Sequence, residues 1–412
     1  MLSSWVPGAD GSGFPAEHLP YGVFSTGGGE RHVAARIGDH VLDLGRLAAE
    51  GVAGLEPWAA ALAADRLNPF LAAGPDAWRQ VREALTELVC SSAGRAVAER
   101  ALVPVADITL HLPVAVPDYV DFYSSLEHAT NLGRLFRPDA EPLLPNWRHL
   151  PVAYHGRAGT IVVSGTPVPR PSGQRRDASG TIVFGPSTRL DIELEVGFVV
   201  GRASTPGHPV SVAAAPGHVF GVALVNDWSA RDIQAWEYQP LGPFLGKSFA
   251  TTLAAWITPL DALAACRVPG PVQAPEPLPY LQLGEDWGLA LDLEVALRPA
   301  GGTGEEPVSR TSFAGLYWRM PQQVAHLTVN GAHLQVGDLL ASGTVSGPER
   351  GSEGSFIELT RNGAEPLAVA GVERTFLEDG DEVVLRGHAD VGGGVRLTLG
   401  EARGRIVARP DA

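Results

Sequence analysis

The fold of this chain is constrained most by the glycines and prolines that divide its apolar runs into short pieces. There are 49 glycines and 34 prolines among 412 residues. From Asp118 onward they separate runs of strand length and leave space for two or three helices. Because glycine and proline end regular elements, this pattern favours a mainly β or α+β fold.

The first part of the chain predicts a small unit of its own. Between residues 33 and 44, Gly38-Asp39 separates two apolar runs, which is typical of a β-hairpin. Residues 46–101 are rich in Ala, Leu and Arg at helical spacing, with prolines as breakers, and predict a few short helices. A proline-spaced extended stretch follows at 111–117. We therefore divide the chain into domains 1–113 and 114–412.

Three later stretches, 169–181, 267–288 and 299–310, are rich in Pro, Gly, Ser and charged residues. Such composition is typical of irregular structure. We expect all three to be loops on the surface or around the mouth of a site.

Composition excludes several classes of partner. The formal net charge is −15 at pH 7, whereas nucleic acids and anionic membranes are usually bound by clustered Lys and Arg. Cys90 and Cys266 are the only cysteines, too few for a disulfide scaffold or a thiolate zinc site. The N-terminal residues lack a signal-peptide pattern, and no apolar run reaches about 18 residues. We expect a cytoplasmic protein that binds neither nucleic acid nor a membrane.

Acidic residues alternate with apolar residues along 190–200. As a strand, this segment places Asp191, Glu193 and Glu195 on one face. A row of carboxylates can bind a hard cation such as Ca²⁺ or Mg²⁺, and it can equally be a solvated strand face. Residues 291–295, with Asp292 and Glu294, have the same alternation without other signs of chemistry and serve as an internal control.

Residues 221–238 predict a buried strand that leads into a helix ending before Pro240. Asp227 lies at the junction of the two elements. Arg231, Gln234 and Tyr238 follow at helical spacing and share one stripe of the helix. The stripe is either part of a site or the solvated side of an amphipathic helix.

Residues 121–131 combine an acid, a tyrosine and a histidine, Asp121, Tyr123 and His128, within about two helical turns. Histidine is the side chain best suited to transfer protons near neutral pH. A structural role in hydrogen bonding is the alternative for His128.

Lys247 is the only lysine among 31 Lys and Arg residues. An exposed position would be free to carry arginine, whereas a site that needs a compact ammonium donor would not. Lys247 is therefore a candidate donor, with chance as the alternative.

Taken together, these segments resemble the fumarylacetoacetase (fumarylacetoacetate hydrolase) family. The resembling strings, in the family's order, are Asp121–Ser125, His128–Asn131, Leu144–Trp147, Tyr154–Arg157, Asn226–Gln234, Pro240–Phe249 and Leu340–Thr344. Leu19–Ser25 extends the likeness toward the N-terminus, and residues 45–115 match loosely. The loop 169–189 differs from the family pattern.

The resemblance implies a small SH3-like β-barrel N-terminal domain and a larger β-roll catalytic domain that forms a homodimer. It also implies roles for individual residues. The implied ligands of Ca²⁺ or Mg²⁺ are Asp121, Glu193, Glu195 and Asp227. The implied general base is His128, oriented by Glu358, and the groups that stabilise developing negative charge are Arg231, Gln234 and Lys247. The implied substrate contacts are Tyr123, Arg137, Tyr154, Tyr238 and Thr344.

The implied activity is hydrolysis of a carbon–carbon bond in a small 1,3-diketo acid. The family's substrate is 4-fumarylacetoacetate, which yields fumarate and acetoacetate in the last step of tyrosine and phenylalanine catabolism. One alternative is a related acylpyruvate hydrolase or oxaloacetate decarboxylase. The other is a catalytically silent, metal-dependent protein that binds a dicarboxylate.

Overall fold

The computed structural model of the protein describes residues 2–409. The strands of the first part are β1 (Tyr21–Ser25), β2 (His32–Ile37), β3 (His40–Asp43), β4 (Leu102–Pro104) and β5 (Thr109–His111). Its helices are α1 (Leu44–Ala49), α2 (Ala59–Leu62), α3 (Asn68–Ala72), α4 (Pro75–Cys90) and α5 (Arg95–Ala101). The five strands form one antiparallel sheet in the order β4-β3-β2-β1-β5. The hairpin predicted at Gly38-Asp39 is confirmed, since it joins β2 to β3.

Helix α4 corrects the expectation that this part holds short helices alone. It is 16 residues long and begins at Pro75, which the sequence had indicated as a breaker. Proline in the first helical turn costs no hydrogen bond, because the N–H groups there have no partner within the helix. The buried stripe Ala77, Val81, Leu85 and Leu88 then anchors the helix to the core.

The rest of the chain is mostly strands. They are β6 (Tyr119–Phe122), β7 (Ala153–His155), β8 (Ile161–Val163), β9 (Val168–Pro169), β10 (Ser172–Arg176), β11 (Ile182–Pro186), β12 (Leu190–Asp191), β13 (Leu194–Val200), β14 (Val219–Asp227), β15 (Ser229–Ala230), β16 (Thr251–Leu253), β17 (Thr258–Pro259), β18 (Arg267–Val268), β19 (Gly288–Leu289), β20 (Asp292–Arg298), β21 (Glu306–Ser312), β22 (Leu339–Ala341), β23 (Leu367–Val369), β24 (Val372–Arg374), β25 (Glu382–Asp390) and β26 (Arg396–Val407). The helices are α6 (Leu126–Phe136), α7 (Arg231–Glu237), α8 (Met320–Thr328) and α9 (Phe356–Leu359).

Two sheets organise this larger part. One has the order β7-β6-β22-β13-β14-β16-β8, with β17 also paired to β14, and the other has the order β21-β20-β25-β26-β9. Strand β14 packs against β25 and β26, so the first sheet lies on the second. Both faces of β13 and β14 are buried, as expected for central strands covered on both sides. The strand-rich α+β class predicted from the sequence is confirmed.

Each of the three predicted loops contains strand residues. The stretch 169–181 includes β10, which forms a hairpin with β11, and Asp177 accepts hydrogen bonds from the backbone of Ser179 and Thr181 in the turn. The stretch 299–310 includes most of β21, paired with β20. Both strands are polar and each has a single buried residue, so the apolar alternation that marks a half-buried strand is missing. The stretch 267–288 is irregular apart from β18 and the first residue of β19.

The two parts of the chain share a core. The main apolar cluster runs from Val6 to Ile406. The ring of Tyr21 stacks on Phe70 and contacts Phe220 edge-on, and the backbone of Tyr21 exchanges hydrogen bonds with Ile257. A domain boundary at 113/114 stays a prediction. None of the helices in residues 2–409 has the length and apolar character needed to span a membrane.

His18 ties the N-terminal segment to the large sheet. It is fully buried, and its ring nitrogens contact Gly13 O at 3.1 Å and Thr258 Oγ1 at 2.9 Å. Burial lowers the pKa of His18 from 6.5 to about 3. The unfolded chain therefore binds one more proton than the folded chain between these pH values, and the stability that comes from neutral His18 is lost as the pH falls below about 6.5.

We predict that the free energy of unfolding falls between pH 7 and pH 5 by about 2 kcal/mol more in the wild type than in His18→Gln. Urea denaturation at the two pH values measures this difference. The exposed His208 provides the matched control, since His208→Gln should keep the pH dependence of the wild type. Equal pH dependence in wild type and His18→Gln would contradict the assignment.

Candidate active site

Four carboxylates meet in the interior at one end of the large sheet. Asp121 lies on β6, Glu195 on β13, Asp227 ends β14, and Glu193 lies in the break between β12 and β13. Oxygen atoms of the four, one from each, lie within 4.8 Å of one another, and all four residues are buried. The structure therefore brings together the four predicted metal ligands, and the solvated strand face considered for Glu193 and Glu195 is wrong.

The break between β12 and β13 separates Asp191 from the other acids of its segment. Asp191 accepts hydrogen bonds from the backbone N–H groups of Phe356 and Ile357, at the start of α9, and from Arg231 Nε. The alternation of the sequence placed Asp191 beside Glu193 and Glu195. The interrupted strand directs it to α9 instead.

The cluster holds more negative charge than its protein partners neutralise. Within residues 2–409, Glu195 Oε1 is buried and has no hydrogen-bond partner, and Oε2 receives one long bond, from Gly343 N at 3.3 Å. Burial, together with the charges of Asp121, Asp227 and Glu193, raises the pKa of Glu195 well above its ordinary value. Burial and the nearby Asp227 raise the pKa of Asp121 to about 7. An all-oxygen donor set with an orphaned carboxylate oxygen fits a hard divalent cation.

Two basic side chains, Lys247 and Arg231, pair with Glu193. Lys247 Nζ donates to Glu193 Oε2 at 2.6 Å and to Asp227 Oδ2 at 2.7 Å. Arg231 lies 2.9 Å from Glu193 Oε1 through Nη1 and also donates to Gln234 Oε1. Burial opposes ionisation of Glu193, but Lys247 and Arg231 hold its pKa below the ordinary value. The solitary lysine is thus buried against the carboxylates.

The Lys247 loop is held against the start of α7 by close backbone contact. A Cβ atom at Gly246 would lie 2.8 Å from Gln234 N and 3.0 Å from Ala230 O, so any larger residue would push the loop away. The position of Lys247 relative to the carboxylates is therefore set by α7, the helix that carries Arg231 and Gln234.

His128 and Glu358 form a second, adjoining group. Residue 128 lies in the first turn of α6, which Ser125 caps by accepting from His128 N, and Glu358 lies on α9. Asp121 belongs to β6, so the predicted placement of Asp121 and His128 within one stretch of helix is wrong. His128 Nδ1 lies 2.7 Å from Glu358 Oε2. An ionised carboxylate only accepts, so Nδ1 carries the proton and Nε2 is free to accept one.

Glu358 is itself held by three side chains that the sequence did not single out for this role. They are Ser346, Ser355 and Asn131, at 2.9, 2.7 and 2.9 Å. Burial disfavours the charged form of Glu358, but His128, Ser355 and Asn131 lower its pKa. Nothing in a single sequence links residues 131 and 346 to residue 358, because only the fold brings them together.

A cavity of about 420 Å³ opens beside both groups. Every residue predicted to contact substrate lines it, and so do several of the other predicted site residues: Tyr123, Arg137, Tyr154, Tyr238, Thr344, Asp121, His128, Glu193, Arg231, Gln234 and Lys247. Asp227 and Glu358 contact the lining residues Lys247 and His128, and Glu195 belongs to the same acidic cluster as Asp121 and Glu193. Tyr238 is 43% exposed at the mouth, while Arg231 is buried, so the α7 stripe runs from solvent into the site.

Comparisons with known proteins identify the architecture. Residues 119–407 match the family model described as fumarylacetoacetate (FAA) hydrolase C-terminal, and residues 17–113 match that described as fumarylacetoacetase N-terminal. The chain belongs to the fumarylacetoacetate hydrolase family. It is similar to the fumarylacetoacetase of Rattus norvegicus, at 46% identity over 415 residues that cover 98% of each chain. The fumarylacetoacetase of Arabidopsis thaliana is 43% identical over 419 residues, which cover 100% of this chain and 99% of that one.

Two solved structures share the fold. A fumarylacetoacetate hydrolase from the psychrophile Exiguobacterium antarcticum superimposes with a TM-score of 0.53 at 17% identity, covering 95% of this chain and 100% of that chain. A maleylpyruvate hydrolase from Sphingobium sp. SYK-6 gives a TM-score of 0.53 at 16% identity, with the same coverage. At these identities the likeness supports the fold and leaves the substrate open.

Substitutions in the acidic cluster test directly whether it binds a cation. We predict that Glu193→Gln and Asp227→Asn each weaken Ca²⁺ binding by at least tenfold, because each removes a charged ligand from a buried site. Glu294→Gln is the control, since Glu294 lies on β20 of the other sheet and pairs with Arg310 and Arg386. Calorimetric titration of Ca²⁺ into the chelator-treated proteins measures all three. Equal affinity in the three variants would remove the cation site from this cluster.

Proposed function

We propose that this protein hydrolyses 4-fumarylacetoacetate to fumarate and acetoacetate. The observation that carries the proposal is the 46% identity to a fumarylacetoacetase over 98% of both chains. The geometry supports it, because a histidine–carboxylate pair and an acidic cluster open on one cavity. The match of residues 17–113 to the fumarylacetoacetase N-terminal model also favours this activity over a related decarboxylase.

The reaction requires a nucleophilic water, an electrophilic carbonyl and a stabilised carbanion. His128 Nε2 accepts a proton from water, whose oxygen bonds to the carbonyl carbon that becomes the fumarate carboxyl. Glu358 stabilises the resulting imidazolium and keeps the ring in place, since it is itself held by three donors. The carbon–carbon bond then breaks, its electrons leave with the acetoacetate fragment as an enolate, and a proton returned from His128 completes the product.

Asp121, Glu193, Glu195 and Asp227 would hold the cation, and when bound it polarises and orients the diketo oxygens of the substrate. Ca²⁺ and Mg²⁺ both suit the four carboxylates, since both prefer oxygen ligands. Arg231, Gln234 and Lys247 line the cavity and stabilise the oxyanion and the enolate. Tyr123, Arg137, Tyr154, Tyr238 and Thr344 bind the substrate along the cavity wall.

We extend the proposal to the protein's setting in the cell. Family membership supports a role in the last step of tyrosine and phenylalanine catabolism and a homodimeric enzyme. Leu241 and Phe244, beside the cavity mouth, are 97% and 66% exposed. A second subunit that covered these side chains would remove apolar surface from water, which favours a dimer. The two cysteines are both free, which suits a reducing cytoplasm.

The activity is tested by mixing the purified protein with fumarylacetoacetate and following the loss of substrate absorbance. We expect turnover in the untreated protein, loss of turnover after removal of divalent ions with a chelator, and recovery on addition of Ca²⁺ or Mg²⁺. Absence of turnover under all three conditions would contradict the proposal. Release of CO₂ from oxaloacetate in place of this hydrolysis would favour the related decarboxylase.

We predict that His128→Ala lowers kcat by about 10²–10⁴-fold, because it removes the proton acceptor from the chemical step. Binding of Ca²⁺ should stay within about threefold of wild type, since His128 is outside the ligand set. His208→Ala, at an exposed histidine, is the matched control and should leave kcat unchanged. Near-normal kcat in His128→Ala would exclude His128 as the base.

A further inference from the structure

Arg157 reaches the acidic cluster from outside the predicted ligand set. Its Nη2 donates to Asp121 Oδ2 at 2.8 Å, and its Nη1 donates to Asp227 Oδ1 at 2.6 Å. These two acids lie on β6 and β14, which are separated in the sheet by β22 and β13. One planar guanidinium therefore joins carboxylates from strands that are not neighbours.

Two tyrosine rings hold this guanidinium in place. The central carbon of the Arg157 guanidinium lies 4.9 Å from the ring centre of Tyr119 and 5.0 Å from that of Tyr154. Nη2 also donates to Tyr154 Oη at 3.1 Å. With 6% of its side chain exposed, Arg157 is shielded from water, and cation–π attraction is stronger in such a setting. Since Tyr154 lines the cavity, Arg157 connects the cation site to the substrate wall.

The backbone of Arg157 adopts a conformation that arginine rarely takes. It is left-handed, with φ 74° and ψ 7°, and it follows Gly156 at φ 123°. A side chain with a Cβ atom is disfavoured there, and such residues persist only where the surrounding contacts hold them. Glycine or asparagine adopts this backbone conformation with less strain. The contacts of the guanidinium therefore compensate for the strain of placing arginine at this position.

We propose that Arg157 is a positioning residue for the cation site. By taking Oδ2 of Asp121 it leaves Oδ1 for the cation, and by holding Oδ1 of Asp227 opposite Lys247 on Oδ2 it fixes the plane of that carboxylate. Its positive charge also offsets part of the repulsion among the four acids. The inference rests on the proposed cation site, but not on which diketo acid the enzyme cleaves.

The test measures Ca²⁺ binding in the absence of substrate, by calorimetric titration of the chelator-treated full chain. We expect Arg157→Gln to weaken Ca²⁺ binding about 10–100-fold, the usual effect of losing a group that orients metal ligands. Arg157→Lys keeps the charge but cannot bridge two carboxylates, so its affinity should lie between those of Arg157→Gln and wild type. If Arg157→Gln does not fold, the Ca²⁺ affinity of Arg157→Lys is compared with that of the wild type instead.

A matched control separates positioning from the general loss of an ion pair. Arg386 on β25 donates to Glu294, Glu305 and Glu401 at 3.3, 2.6 and 2.9 Å, far from the cluster, and Arg386→Gln should bind Ca²⁺ as wild type does. Wild-type or tighter affinity in folded Arg157→Gln or Arg157→Lys would overturn the inference, as would a wild type that binds no Ca²⁺. A wild type that binds Ca²⁺ but does not cleave fumarylacetoacetate would contradict the proposed function. The comparison of Ca²⁺ affinities would still test the role of Arg157.

Discussion

The burial of several carboxylates at one point is the constraint on which the rest of this structure depends. Moving a charge out of water is costly unless it is paired and hydrogen-bonded. With Asp191 counted, five acids here face Arg157, Lys247 and Arg231, so two negative charges remain, the number that one divalent ion neutralises. The raised pKa values of Glu195 and Asp121 have the same cause, an excess of buried negative charge.

The fold explains how such a cluster can persist. Asp121, Glu195 and Asp227 are supplied by central strands of a sheet that is covered by a second sheet, and Glu193 by the break next to β13. Rigid strands hold ligands more precisely than loops do. The proposed base is placed on other elements, with His128 on α6 and Glu358 on α9. Asp191 connects the start of α9 to Arg231, which pairs with Glu193, so the fold fixes the position of the base relative to the cluster.

The sequence indicated which residues lie together at the candidate site better than it indicated the contacts around them. The i, i+2 spacing of Glu193 and Glu195 and the position of Asp227 at the end of an apolar run are local patterns, and the structure brings these residues together. Arg157 was missed as part of the cluster, because a left-handed backbone at an arginine leaves no pattern in the sequence. The strands β10 and β21 were missed because exposed polar strands lack apolar alternation. Lys247 stood out by its rarity, but its carboxylate partners, Glu193 and Asp227, are set by the fold alone.

Diffraction can test directly whether the buried acidic cluster holds a divalent cation. Crystals soaked in Mn²⁺, a divalent ion that also accepts oxygen ligands, would be measured at a wavelength where manganese scatters anomalously. We expect one strong anomalous peak within coordination distance of Asp121, Glu193, Glu195 and Asp227. A cluster without a peak, or a sole peak bound elsewhere on the chain, would contradict it.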